Sequence, residues 1–416
     1  MPPCAGPSCW WNSKPRCPWH KTGQTTGVIF PSFDDPILAK PYESGVVMRI
    51  AYAVMGYGRG HAMRTAAVLP ALERHHRVRV FAGRDAHEML CHDHDSVEIP
   101  VIGYQYGPHG RICARRTLRH NAPKVADLLM AGPRTRAVWR QMEQFAPDIV
   151  ISDSETYSHR FARHHGIARI GFDHVGIMAF CHCNFAPGDA LAGRRDGLGY
   201  RAFMGDPDRV IVSSFYPATP RHERIRTVGA ILREPVRQAR PSRGDTVLVY
   251  LNKGAHQYNA AMEAALRACG APVIIYGTPE RGQRANLHFK APSQNGFIAD
   301  LAAAGAVVCT AGNQLLSEAI HLGKPVLALP EDAVEQRLNA EAVRRMGVGT
   351  AASLHRLMPG VLRSFLEHAD GYAEATHAHR RDGLSEAIDL LHGDIAALSR
   401  GTRNSPGPLA WLTGAY

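Results

Sequence analysis

Ala306-Val-Val-Cys309-Thr310-Ala-Gly312-Asn313-Gln314-Leu-Leu-Ser-Glu318-Ala runs on through Lys324-Pro325 into Val326-Leu-Ala-Leu-Pro330 and then Glu335-Gln336-Arg-Leu-Asn-Ala340. A short apolar strand ends at Cys309 and meets a Gly-bearing turn, and a helix is predicted to begin near Asn313. The first N–H groups of such a helix have no partner in the helix itself, and its dipole favours negative charge there, which makes Gly312 to Gln314 a seat for a diphosphate. Glu318 falls one and a half turns further on, where a carboxylate can accept hydrogen bonds from ribose hydroxyls. Glu335 and Gln336 follow the next strand, at the carboxyl edge of the sheet where open α/β folds bind ligands. The plain alternative is a capped βαβ unit without a ligand.

Working outward, the same alternation of strand and helix fills most of the chain. Strand-like runs occur at 49–55, 77–82, 97–102, 148–152, 168–172 and 209–213, with helical periodicity near 61–75, 121–145 and 156–165. A Pro- and Arg-rich passage, Arg233-Glu-Pro235 to Pro241-Ser-Arg-Gly244, then reads as a linker. A second alternation has strands near 246–250, 272–276, 286–289, 306–309 and 325–329, and a long helix over about 371–399. This predicts an α/β protein with two Rossmann-like, doubly wound parallel-sheet domains facing a cleft. The expected boundaries are 48–230, a linker at 231–244, 245–400 with the last helix able to pack back on the first domain, and a tail at 401–416.

At 416 residues the chain exceeds the roughly 250–300 at which single cores stop growing, so two domains fit its length. No stretch reaches the ~20 apolar residues of a membrane span, and the amino terminus has no signal-peptide pattern, which together predict a cytoplasmic protein. Nine cysteines in a chain this long do not form a disulfide framework. Residues 1–47 carry eight prolines, three tryptophans and three cysteines without any period, and are expected to be a disordered leader, with Met48 as an alternative start. Cys4, Cys9, Cys17 and His20 lack the paired spacing of a structural zinc site, and neither Cys181-His182-Cys183 nor Cys91-His-Asp-His94 closes a tetrahedral shell. No metal and no cofactor are expected.

The first strand ends in a second glycine-rich turn, Gly56-Tyr-Gly58-Arg-Gly60-His61, which opens a helix. A dinucleotide fingerprint would have glycine where His61 stands and an acid after the second strand, where the chain has Arg84; only an NADP-type pocket remains open. His61 can take a proton from a hydroxyl, since imidazoles titrate near neutrality, or it can simply cap the helix. Asp153, at the end of the strand Pro147-Asp-Ile-Val-Ile-Ser-Asp153, can orient that imidazole or cap the next helix, with Glu155 as the second carboxylate.

These motifs, together with Asp173-His174, Ser213-Ser214-Phe215 and Val228-Gly229, resemble GT-B fold glycosyltransferases over about residues 48–350. The resemblance is to UDP-glucuronosyltransferase-like proteins of glycosyltransferase families 1 and 28, and to a little-characterised microbial subgroup of them. It implies hexosyl transfer from a nucleotide-diphosphate sugar, a UDP- or dTDP-sugar, to an acceptor hydroxyl, with inversion and without metal. Gly312, Asn313 and Gln314 would then contact the diphosphate, Glu318 the ribose, and Glu335 and Gln336 the sugar. Phe297 would stack on the base and His61 would be the catalytic base, with the nucleotide sugar a substrate rather than a cofactor. Relatives carry His or Arg where this chain has Thr310, leaving the phosphate charge to the helix N-terminus and to Lys253, which otherwise is a solvated loop lysine. Alternatives are a nucleotide-sugar 2-epimerase, a non-catalytic nucleotide-sugar-binding protein and an NADP-dependent oxidoreductase.

The net charge of +11 favours acidic partners. It concentrates at 109–140, where Arg111, Arg115, Arg116, Arg119, Lys124, Arg134, Arg136 and Arg140 fall. The stretch is either a solvated face or a contact for an anionic acceptor or membrane surface. No nucleic-acid-binding module accompanies it, so nucleic acid is not an expected partner.

Overall fold

A computed structural model describes residue 37 and residues 45–56, 59–105, 107 and 113–401. Most of the expected leader, its cysteines and His20, Gly58, Arg111 and the last fifteen tail positions lie outside the described residues. The first domain is built on β1 (Arg49–Val54), α1 (Arg59–His75), β2 (Arg77–Ala82), β3 (Ser96–Glu98), α2 (Ala114–Leu129), α3 (Pro133–Phe145), β4 (Ile149–Asp153), α4 (Thr156–His165), β5 (Ala168–Asp173), α5 (Ala190–Met204), β6 (Arg209–Ser213) and β7 (Ile225–Val228). Its strands lie in the order β3-β2-β1-β4-β5-β6-β7, all parallel. The second domain has β8 (Val247–Tyr250), β9 (Val273–Tyr276), β10 (Gly282–Arg284), β11 (Leu287–Phe289), α6 (Gln294–Ala303), β12 (Ala306–Cys309), α7 (Asn313–His321), β13 (Val326–Ala328), α8 (Val334–Arg345) and β14 (Gly349–Ala351). Its strand order is β10-β11-β9-β8-β12-β13-β14, parallel except for the β10–β11 edge.

Both sheets are covered on both faces, which is why their central strands are unbroken apolar runs. Alternate residues of β1 feed two cores. Ile50, Tyr52 and Val54 meet Leu69 and Leu72 of α1, whereas Ala51 and Ala53 meet Leu128, Met142 and Phe161 of α2, α3 and α4. The first core also takes in α9 (Leu384–Gly401), which returns from beyond the second sheet to bury Leu384, Ile388, Leu391 and Ile395 beside α1. Burial of each such side chain favours folding by about 1.5–3 kcal/mol.

Two expected helices are each divided. The periodic stretch 121–145 breaks between α2 and α3 because Ala131 adopts a left-handed φ of 47° and Pro133 starts a new helix. Asp127 secures the break by accepting from the backbone N–H groups of Arg134 (3.2 Å) and Thr135 (2.8 Å). The helix expected over 371–399 stops after Thr376 and restarts at Leu384, because the chain between them pairs with the segment after β7. Gly383 and Gly229 pass so closely there that a Cβ on Gly383 would lie 2.3 Å from the Gly229 carbonyl oxygen. The strand expected over 97–102 is reduced to β3.

The passage expected as a linker joins the two domains, yet it is not a loose tether. Leu232 and Val236 are fully buried in the second core, and Pro235 lies in the first turn of a short helix, Glu234–Gln238.

Strand order fixes where a ligand can sit. In the first sheet the order reverses between β1 and β4, and in the second between β8 and β12; crevices open at the carboxyl ends of such neighbours. The turns there carry His61 and Asp153 in one domain, Lys253 and Gly312 in the other.

Candidate active site

Asp153 closes β4 opposite Val54 of β1, so its carboxylate lies beside the start of α1. His61 Nδ1 is 2.7 Å from Asp153 Oδ1. Three residues along the same helix, Arg64 donates to both carboxylate oxygens, from Nε at 2.9 Å and from Nη2 at 2.7 Å. Burial would push the Asp153 carboxyl up, but the Arg64 guanidinium and His61 overcome it and hold the group below its usual range. An anionic Asp153 accepts the Nδ1 proton of His61, which leaves Nε2 with its lone pair. Asp153 is fully buried, while the His61 side chain keeps 17% of its surface. The next residue, Ser154, has φ 56°, a conformation disfavoured for serine and placed at the site's edge.

Glu155, the other carboxylate considered, caps α4 by accepting from the N–H groups of Tyr157 (2.8 Å) and Ser158 (2.7 Å). Gly56 answers to backbone packing, since a Cβ there would lie 2.1 Å from the Gly83 carbonyl oxygen. A Cβ on Gly60 would meet Gln314 Cβ at 3.6 Å, so the N-termini of α1 and α7 face each other across the cleft.

Gly312 is the N-cap of α7; no side chain caps that helix, and the space around Gly312 is open. Asn313 is buried, and its Oδ1 has no hydrogen-bond partner among the described residues. Gln314 turns back along the helix, donating to the Ile231 carbonyl (3.2 Å) and to Glu318 (2.8 Å). Glu318 is buried in a two-bond pair with Arg233, whose Nε and Nη2 lie 2.8 and 2.7 Å from its two oxygens. Any further donor reaching Glu318 would share it with a guanidinium from the interdomain passage.

Consecutive positions on α8 diverge. Gln336 turns into its own domain, where its Oε1 accepts from Glu331 N–H at 2.9 Å. Glu335 faces the first domain: its Oε1 accepts from Asn339 (2.6 Å) and lies 3.4 Å from His174 Nε2. Burial pushes the Glu335 carboxyl up to about 7. Lys253 is the N-cap of a one-turn helix, with its backbone N–H bonded to Gln257 Oε1 at 2.9 Å. Phe297 is half-buried at the start of α6 and packs edge-to-face on Tyr250 and Tyr276, with ring centroids 5.3 and 5.2 Å away.

Four polar residues beside the site carry no role in the sequence reading. Arg64 was findable, because a residue three positions after His61 shares its helix face. Asp173, Tyr200 and Arg233 gave less signal. Tyr200 of α5 donates to the buried Asp173, which also accepts from Gly176 N–H (2.6 Å). Cys181 and Cys183 stay protonated, their thiols pushed up to about 12 and about 11 by burial.

Two doubly wound domains facing a cleft make the GT-B fold, and solved structures of that fold superpose on the chain. "CalG4, the Calicheamicin Glycosyltransferase" covers 86% of this chain and 100% of its own, at 17% identity and TM-score 0.59. VinC, solved "in complex with DTDP", covers 85% and 100% at 14% identity and TM-score 0.58. MurG of Acinetobacter baumannii covers 84% and 100% at 16% identity and TM-score 0.53. The chain belongs to Glycosyl transferase family 1, whose pattern matches residues 48–369. Among curated relatives, the "PGL/p-HBAD biosynthesis glycosyltransferase" of Mycobacterium tuberculosis strain H37Ra and its counterpart Rv2958c in strain H37Rv are each 29% identical over 153 residues, 35% of this chain. The match spans about a third (34%) of those relatives' length.

Proposed function

We propose that the protein moves a sugar from a nucleotide-diphosphate sugar, of the UDP or dTDP class, to an acceptor hydroxyl, with inversion at the anomeric carbon and no bound metal or resident cofactor. The observation that carries this reading is the His61–Asp153 pair across the cleft from the uncapped start of α7. In the proposed step the acceptor oxygen attacks the anomeric carbon while its proton passes to His61 Nε2. The bond from that carbon to the diphosphate oxygen breaks, and its electron pair leaves with the nucleotide. Asp153 keeps Nδ1 protonated and stabilises the imidazolium, as the orienting acid of a triad does. Attack from the face opposite the leaving group inverts the carbon. The leaving diphosphate meets amides already oriented at Gly312 to Gln314. Arg59, at the first position of α1, and Arg233 add positive charge near Tyr250, whose phenol burial nonetheless holds above its ordinary value.

The exposed arginines of α2 and α3, Arg115, Arg116, Arg119, Arg134, Arg136 and Arg140, alternate with exposed Leu118, Leu129 and Met130. This mixture supports a lipid-linked or anionic acceptor presented at a membrane surface. Lys124 does not join that face, since its Nζ donates to the Val101 carbonyl at 2.9 Å.

The test is nucleotide release from UDP- and dTDP-sugars, with and without acceptors and chelator; an acceptor of the PGL/p-HBAD type belongs on the panel because of the tuberculosis relatives. Acceptor-dependent release that survives chelation supports the proposal. Epimerised donor without acceptor, or binding without turnover, would replace it with an epimerase or a binding protein. Release that stops with chelator would remove the metal-independent step.

A further inference from the structure

His174 sits at the end of β5 in the first domain and is 2% exposed. Its Nδ1 lies 2.9 Å from the Ser213 carbonyl oxygen, so Nδ1 carries a proton and donates it. Its Nε2 reaches α8 of the second domain, where it meets two oxygens: Asn339 Oδ1 at 3.0 Å and Glu335 Oε1 at 3.4 Å. The Asn339 amide cannot be reversed to solve this. Its Nδ2 already donates to the Ala311 carbonyl (3.0 Å) and to Glu335 Oε1 (2.6 Å), both acceptors. A neutral imidazole offers one N–H and one lone pair, yet three oxygens surround this ring. One more proton must be present, on Nε2, where the imidazolium N–H donates to Asn339 Oδ1 and stands beside the Glu335 carboxylate. The imidazolium–carboxylate pair is net neutral.

We propose that His174 is a positioning residue for the donor sugar: the proton it shares with Glu335 across the cleft fixes Glu335 Oε1 and leaves Oε2 to receive the sugar's hydroxyls. This rests on the second domain being the donor site. Glu335 Oε2 makes no hydrogen bond among the described residues, and the side chain keeps 21% of its surface. Asn339, wholly buried, is the other half of the clamp. The groups facing the pair are His61 and Arg64 from α1, Glu331 from the turn before α8, and Tyr104 and Tyr216. Burial disfavours both charges, pulling the imidazole down to about 4 and the carboxyl up to about 7, so the proton held by the pair is lost as pH rises through neutrality. Once it has gone, the Nε2 lone pair faces two oxygens and the clamp opens.

The experiment separates sugar recognition from nucleotide recognition. Calorimetric affinities are measured from pH 6 to 9 for UDP, dTDP, UDP-glucose, UDP-N-acetylglucosamine, dTDP-glucose and dTDP-rhamnose. The ratio of nucleotide to nucleotide-sugar Kd gives the sugar's contribution. In the unmodified protein that contribution should fall as pH rises. His174→Ala should lose roughly tenfold of it, the scale of a hydrogen bond to a charged group, while bare nucleotide binds as before. His174→Gln and Glu335→Gln, which preserve shape, should retain the fold and show no pH dependence. The proposal is overturned if His174→Ala keeps the sugar's contribution and its pH slope, if all nucleotides weaken alike, or if the unmodified protein binds nucleotide with no gain from any sugar. A protein that binds no nucleotide at all would remove the donor-site reading itself, and this proposal with it.

Discussion

At the scale of single residues, the His61–Asp153–Arg64 cluster separates chemistry from stability. His61→Ala should lower kcat by about 10²- to 10⁴-fold, as expected for loss of a general base, with little change in unfolding free energy. Asp153→Asn should cost activity and also stability, by about 3–5 kcal/mol, because it strands the buried Arg64 cation; denaturant melts beside steady-state rates would show the difference. A second expectation concerns acid. Burial pulls His159 down to about 3 and His76 down to about 4, whereas in the unfolded chain each titrates near 6.5. The unfolded state therefore takes up protons first, so the stability these two contribute is complete above pH 6.5 and is lost as pH falls towards their folded values. Melting temperature followed from pH 7.5 to 4 should decline, and His159→Gln should flatten the curve. His61 and Asp153 could be paired from the sequence because one opens the helix after the first strand and the other ends a later strand of the same predicted sheet. His174, visible there only as part of a motif, was not legible as a partner of Asn339, since that contact depends on how one domain meets the other.

At the scale of elements, buried parallel strands announce themselves as apolar runs, and those on both sides of the cleft were readable. Helix limits were less so, because Ala131 looks like an ordinary helix former and only its left-handed backbone ends α2. The Gly383 break was hidden for a similar reason: what stops the helix is contact with Gly229, far away in sequence. Helices α2 and α3 carry a prediction of their own. Vesicles containing anionic lipid should bind the protein at low salt and release it as salt rises, and replacing Arg115, Arg116 and Arg119 by Gln should weaken that binding by about 1 kcal/mol per charge, read by co-sedimentation. The passage containing Arg233 also acts as an element. Arg233→Ala should leave Glu318 as an unpaired buried carboxylate and lower the melting temperature, while Arg233→Lys, which lacks the planar fork, should recover only part of the loss.

At the scale of the whole molecule, the two domains meet through more than the reacting groups. Val334 and Leu338 of α8 pack against Ile177 and Phe180, and Arg337 holds Asp189 with Nε 2.9 and 3.0 Å from its oxygens. Asp189→Ala should loosen this side of the cleft and raise the donor KM more than it changes kcat. Among the described residues no helix is long and apolar enough to cross a membrane. The return of α9 to the first core has a consequence for synthesis. Domains generally fold in the order in which they leave the ribosome, but this first domain must wait for α9 before Leu384, Ile388, Leu391 and Ile395 can fill its core. Throughout translation of the second domain, the face of α1 that α9 will cover stays open to chaperones and to proteases. A chain halted after β14 should therefore be cut within the first domain under limited proteolysis, and supplying residues 384–401 as a separate peptide should protect it.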